Sequence, residues 1–254
     1  MLKLHHITKA FPRGVLFKDL NLTIDKGDFV VIIGSNGSGK STLLKMISGA
    51  QKPDRGDVIL ENRNITPLPL YRRAKFISRV VQDNLEGTVG EFTLLENLEL
   101  AFYRGKSAPL FSKPPRQKFE DKLKSLPLNL ASRLDQRMDS LSGGQRQIMS
   151  LLMATLGTPK LLLLDEHTSA LDPKTAQFVM KFTHDLVQAE NITTLMITHN
   201  LQDAIHYGNR LIMLHHGHIV YDVRGTDKQS LTLPNLLNLF HKLEDQDLQG
   251  DFHV

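Results

Sequence analysis

The sequence predicts an α/β fold: a mostly parallel sheet with helices packed on it, an N-terminal antiparallel β subdomain, and an inserted helical subdomain. Three observations carry this. "FVVIIG" (29–34), "LLLLDE" (161–166) and "TTLMITH" (193–199) are short, continuous apolar runs, the pattern of strands buried on both faces. A helical segment follows the first run and another separates the last two, which makes strand–helix–strand units. From 84 to 155 that alternation gives way to helical periodicity.

In chain order, "HH" at 5 and 6 falls in a first strand, and "VLFKDLNLTI" alternates as an antiparallel strand does. "KSTLLKMISG" follows the first buried strand, with Leu43, Leu44 and Ile47 at helical spacing and Gly49 placed to stop the helix. Within 84–155, "YRGKSAPLFSKPPRQK" (103–118) is rich in proline and basic residues and reads as an exposed loop, either a partner or membrane contact or a solvated linker. "DPKTAQFVMKFTHDLVQAEN" opens with Asp172 as N-cap and Pro173 at the first helical position, and Phe178, Phe182 and Leu186 recur on one face. "LHHGHIV" (214–220) invites a metal site. However, its histidines lack helical i, i+4 spacing and Gly217 sits where a hairpin turns, so a structural turn is expected. The expected organisation is one domain over 1–254: a core of 1–83 and 156–225, the helical subdomain 84–155, and a short tail 226–254.

Bulk properties narrow the class. The chain has 254 residues and no cysteine, which removes disulfides and thiolate metal sites. "MLKLHHITKAF" lacks the apolar centre of a signal peptide and every apolar run is strand-sized, so a cytoplasmic chain is expected. A net charge of +4 suits an anionic membrane surface or a phosphate-rich ligand but is too small to argue for a nucleic-acid partner.

The chemistry concentrates in two glycine-rich stretches and one acidic strand end. Gly34-x-x-x-x-Gly39-Lys40-Ser41 lies between a buried strand and a helix. Glycines there let successive N–H groups turn inward on phosphate oxygens. Lys40 reaches the β- and γ-phosphates, and Ser41 ligates Mg²⁺. The expected nucleotide cradle is Ser35, Asn36, Gly37, Ser38, Gly39, Lys40, Ser41 and Thr42. At the end of "LLLLDE", Asp165 is placed to hold Mg²⁺ and Glu166 to polarise an attacking water. "LSGGQRQ" (141–147) is a second glycine-and-serine stretch at the start of a helix, again the build of an anion site.

Taken in order and spacing, the phosphate loop, Gln82 of "RVVQDN", "LSGGQ", "LLLLDE", "SALD" and the strand-end His199 make the chain resemble the ATPase subunit of an ABC transporter over roughly residues 1–225. The resemblance implies the ABC ATPase fold, ATP and Mg²⁺ as cofactors, and a head-to-tail dimer. In that dimer Ser142, Gly143, Gly144 and Gln145 of one chain close over the ATP of the other. It further implies that Gln82 touches Mg²⁺ beside Ser41 and Asp165, that His199 contacts the γ-phosphate, that Phe11 stacks on adenine, and that Ser169 and Asp172 couple the two sites. Implied partners are a second copy or a related ATPase, integral membrane permease subunits and an extracytoplasmic solute-binding protein, with the chain peripheral on the inner face of the cell membrane. His167 departs from the proline usual in the family. It either tunes the neighbouring acid, titrating near neutral pH, or is tolerated loop variation. The variant and the short tail resemble a bacterial subgroup serving binding-protein-dependent importers, some for amino acids, aromatic ones included. A soluble ABC ATPase without a transport role, for example in cluster assembly, is the alternative; a kinase or GTPase would leave "LSGGQ" unexplained.

Overall fold

The computed structural model describes residues 1–83, 86–104, 114, 116–124 and 128–249. Its elements are β1 (Leu2–Phe11), β2 (Gly14–Ile24), β3 (Phe29–Gly34), α1 (Lys40–Ser48), β4 (Arg55–Leu60), β5 (Arg63–Asn64), α2 (Leu70–Arg73), β6 (Ile77–Val80), α3 (Leu94–Tyr103), α4 (Arg116–Lys124), α5 (Gly143–Thr155), β7 (Leu161–Asp165), α6 (Pro173–Ala189), β8 (Thr193–Ile197), α7 (Leu201–His206), β9 (Arg210–His215), β10 (His218–Arg224), α8 (Gly225–Gln229) and α9 (Leu233–Gln249). They divide into two compact units: Met1–Pro67 with the chain from Thr193 onward, and Leu68–Ile192.

The first unit carries two sheets. In one, β2, β1, β4 and β5 pair antiparallel in that order, with β2 holding the alternating "VLFKDLNLTI". In the other, β3 lies parallel to both β8 and β9, and β10 closes the edge antiparallel to β9. Every residue of β3 and β8 is buried, which is why neither alternates in sequence. Each fully buried Val or Ile there contributes about 1.5–3 kcal/mol of apolar burial. The register sets Ile32 opposite Ile197 and Gly34 opposite Leu214, so the chain leaves β3 and β8 side by side at their carboxyl ends. Open α/β sheets place their ligands at that edge.

The second unit pairs β6 parallel with β7, Val80 opposite Leu164, and packs α5 against β6, with α3 and α6 against α5. Thr93 and Glu96 form a reciprocal capping box on α3. Asp172 caps α6, accepting from the Thr175 N–H at 3.1 Å, with Pro173 in the first turn as expected. The buried stripe of α6 lies one position on from the apolar Phe178–Phe182–Leu186 line. Phe178 is 39% exposed, and the buried line runs Val179, Thr183, Val187. Apolar periodicity skips Thr183 as polar, yet its hydroxyl is satisfied internally by the Val179 carbonyl at 2.8 Å, so its burial costs little. Most of the candidate partner loop at 103–118 lies outside the described residues.

Candidate functional site: a phosphate loop and an acidic strand end

The phosphate loop runs from the end of β3 into α1. A Cβ on Gly34 would lie 2.0 Å from the Leu214 carbonyl oxygen, so only glycine lets β3 and β9 approach here. Gly39, at the N-cap of α1, has φ of 105°, and a Cβ there would meet the Phe17 ring at 2.6 Å. Among the described residues no side chain caps α1, and the first-turn N–H groups of a helix are suited to an anion. Lys40 is buried and spans the loop, donating from Nζ to the carbonyls of Gly34 and Ser35 at 2.8 Å each. Ser41 and Thr42 occupy the first turn of α1, half-buried, and Asn36 and Gly37 form the exposed tip. The Ser38 hydroxyl oxygen is buried with no hydrogen-bond partner among the described residues. An orphaned hydroxyl beside a cradle that a Cβ would fill suits a phosphate, which supplies both acceptors and volume.

The hairpin "LHHGHIV" supports this loop. Its turn is His216–Gly217, between β9 and β10. The Gly217 N–H donates to the Ser38 carbonyl at 3.1 Å, and buried His215 places Nδ1 3.5 Å from the Ser35 hydroxyl. The histidine-rich segment is therefore a structural turn with a second duty, holding the phosphate loop from behind. His199 follows β8 and is exposed. With Ile33, Gly34, Thr198 and Phe240 it lines a cleft of about 270 Å³, so the first unit brings His199 beside the start of the loop. Phe11, at the end of β1, is 40% exposed, with Lys9 Nζ 5.6 Å from its ring centroid. Lys9 is itself held by Asp54 at 2.7 Å.

In the second unit Asp165 ends β7 and Glu166 follows it, while exposed Gln82 lies two residues beyond β6. The parallel pairing of β6 and β7 sets these residues at one edge. Arg79 donates to Asp165 Oδ2 at 2.8 Å, a partner the sequence did not announce. Glu166 has φ of 51°, uncommon for a non-glycine residue, and its carbonyl accepts from the Ser169 N–H at 3.0 Å and hydroxyl at 2.8 Å. Ser169 of "SALD" thus braces the turn carrying the acid, and Asp172 of the same motif caps α6.

The "LSGGQ" stretch is the N-terminus of α5. Ser142 and Gln145 form a capping box, and Arg133 donates to Gln145 Oε1 at 3.1 Å. Ser142 and Gly143 are exposed, whereas Gly144 is buried, and a Cβ on it would lie 2.2 Å from Thr175 Cγ2. Gly144 thereby has a packing duty between α5 and α6 that its motif position did not suggest.

His167 does not titrate near neutral pH. It is 2% exposed, its Nε2 lies 3.1 Å from Thr183 Oγ1, and burial pushes its pKa down from 6.5 to about 4. The unfolded chain therefore takes up this proton first as pH falls below 6.5, so the folded state loses stability between pH 6.5 and 4. The loss from this group approaches about 3 kcal/mol. Chemical denaturation of the wild type and His167→Gln across that window should show the variant losing less on acidification.

A glycine cradle at the end of a buried strand, an uncapped helix N-terminus and a lysine lying across the loop define a phosphate-loop nucleotide-binding protein. The chain belongs to the ABC transporter family, whose model matches residues 17–169, and it is an ATP-binding, ATP-hydrolysing member. It is 47% identical to a tyrosine transport ATP-binding protein of Clostridioides difficile, covering 94% of this chain and 98% of that protein. It is 30% identical to the phosphonates import ATP-binding protein PhnC of Lactobacillus johnsonii, covering 94% and 96%. Among solved structures it resembles a dimeric ATP-binding cassette in a post-hydrolysis state bound to ADP and Pi, with TM-score 0.72, 29% identity and 88% and 98% coverage. A nucleotide-free ATP-binding cassette from an ABC transporter matches with TM-score 0.76 at 29% identity, covering 94% and 95%.

Proposed function

We propose that this chain is the ATP-driven motor of a bacterial importer for an amino acid of the tyrosine class, working as a dimer on separate permease subunits at the inner face of the membrane. The observation that carries this is the presence in one chain of two glycine-bearing helix N-termini, α1 behind the phosphate loop and α5 behind the exposed Ser142–Gly143, and we assign both of them to phosphate. One nucleotide per chain explains both when the second serves a neighbouring copy. Among the described residues no helix is long and apolar enough to cross a membrane, and the importer relatives support separate permease subunits as the path of the solute. The tyrosine-transport relative supports the solute class.

Each side chain then has a definite task. Lys40 leaves its loop carbonyls for the β- and γ-phosphate oxygens, and the first-turn N–H groups of α1 hold the same phosphates. The Ser38 hydroxyl gains the partner it lacks. Phe11 offers an exposed ring face to adenine, worth about 1–3 kcal/mol. Ser41, Gln82 and Asp165 are hard oxygen donors that suit Mg²⁺, which supplies neutralisation of phosphate charge. Arg79 orients the Asp165 carboxylate through its 2.8 Å hydrogen bond. Glu166 accepts a proton from the attacking water, and His199 and the neighbouring chain's Ser142 stabilise charge developing on the transferred phosphoryl group.

The test is capture of the tagged chain from membranes of its own organism in mild detergent, with labelled tyrosine uptake measured in parallel. A co-purifying multi-span permease and solute-binding protein, together with uptake lost when Lys40→Ala replaces the wild type, is the expected result. Soluble partners alone, with uptake intact, would overturn the transport reading in favour of a soluble ATPase.

A further inference from the structure

The residue after Glu166 is where this chain departs from the sequence pattern it otherwise follows, and the structure gives the departure a use. Glu166 sits at φ of 51°, a conformation that a β-carbon-bearing residue keeps only when its surroundings impose it. Ser169 holds its carbonyl from one side, through the N–H at 3.0 Å and the hydroxyl at 2.8 Å. On the other side the chain passes directly into His167, which turns inward and ends 3.1 Å from the Thr183 hydroxyl in the middle of α6. Both partners of that contact are buried.

The direction of the hydrogen bond follows from counting protons. Thr183 has a single hydroxyl hydrogen, and it is directed to the Val179 carbonyl at 2.8 Å. Thr183 can therefore only accept from the imidazole, so His167 carries its hydrogen on Nε2 and donates. A proline in this position would restrict its own φ and the conformation of Glu166 through its ring, and would reach nothing on α6. Here a side-chain strut takes over that restriction, with its far end on the helix that Asp172 caps.

We propose that His167 is a positioning residue for the hydrolytic reaction: donation from its Nε2–H to Thr183 ties the turn carrying Glu166 to α6 and fixes the direction of the Glu166 carboxylate. The inference rests on Glu166 being the group that activates water, and adds to it the means by which this chain aims that group.

The test uses the full chain and steady-state ATP hydrolysis, with kcat and KM for MgATP measured separately. Thr183→Val removes the acceptor while keeping the shape, and His167→Leu removes the donor. Each should lower kcat roughly tenfold through misaimed chemistry, leaving KM within about twofold, since neither residue belongs to the phosphate loop. Thr183→Ser, which keeps the hydroxyl, should restore kcat. The double variant should be no slower than the worse single one, because the two changes break one contact. If His167→Leu does not fold, the Val and Ser variants at 183 decide the matter by themselves. Wild-type kcat in Thr183→Val, or equal losses of kcat in the Val and Ser variants, would overturn the tether. A separate control isolates the reading beneath it: in a Glu166→Gln background Thr183→Val should produce no further loss in single-turnover rate. Full activity of Glu166→Gln alone would remove Glu166 from its role. A normal loss there, together with a further loss on adding Thr183→Val, would leave Glu166 in place and sink the tether.

Discussion

Replacing Glu166 with glutamine should stop steady-state hydrolysis while leaving ATP bound. The substitution keeps the length of the side chain and its capacity to hydrogen-bond, but a carboxamide does not accept a proton from water. General-base assistance contributes roughly 10²–10⁴-fold, so kcat is expected to fall by about that factor. The backbone gives no reason for the variant to misfold. Glu166 is half-buried at φ of 51°, held through its carbonyl by Ser169, and glutamine meets the same backbone contacts as glutamate. Binding should survive because the phosphate loop is untouched. A site that binds ATP and does not discharge it also accumulates the closed state, so millimolar MgATP should convert the variant from monomer to dimer in light scattering. A variant that hydrolyses normally would remove Glu166 from the mechanism. One that is inactive yet monomeric at saturating MgATP would leave Glu166 in place and break the idea of a shared site.

The parts of this site that were legible in the sequence are those whose physics is local. The phosphate loop declares itself because glycine spacing, a lysine and a flanking buried strand all lie within a few residues, and the structure gives Gly34 and Gly39 steric reasons to be glycine. The cap of α6 was equally plain, since Asp172 and Pro173 act on the turn that follows them. What stayed hidden depends on residues far apart in the chain. Arg79 reaches Asp165 across 86 positions, and nothing in either local pattern names the other. The ring of Phe17, under Gly39, and the turn at Gly217, behind Ser38, are contacts of tertiary folding alone. The histidines at 215, 216 and 218 flank the expected turn, but the hydrogen bond from that turn to the phosphate loop has no local signal. On α6 the buried stripe is hard to read because a satisfied threonine, Thr183, counts as polar in any hydropathy pattern. His167 combines both difficulties: a buried histidine answered by a threonine one helix away reads, in sequence, as a loop substitution.

Two inactive chains should restore activity when mixed. Lys40→Ala removes the cation that spans the phosphate loop, so this chain no longer holds nucleotide, but its α5 N-terminus is intact. Ser142→Arg places a long cation on the exposed N-cap of α5, where the helix dipole opposes it and its bulk blocks a second chain. That chain keeps its phosphate loop. If each nucleotide is served by the loop of one chain and the α5 cap of its neighbour, a mixed dimer contains one site with both defects and one with neither. Random pairing makes about half the dimers mixed, each with one of two sites intact, so an equal mixture should recover about a quarter of wild-type turnover. A site completed within one chain makes the opposite demand: each variant is defective in its own site and mixing restores nothing. The comparison also separates the shared site from an indirect effect on dimerisation. A simple loss of affinity between chains would be overcome by raising the concentration of Ser142→Arg alone, whereas a missing cap would not. Recovery in the mixture, with both parents inactive at the same total concentration, is the result that places Ser142 over a neighbour's nucleotide. Two dead parents giving a dead mixture would return the α5 N-terminus to the structural role its capping box already explains.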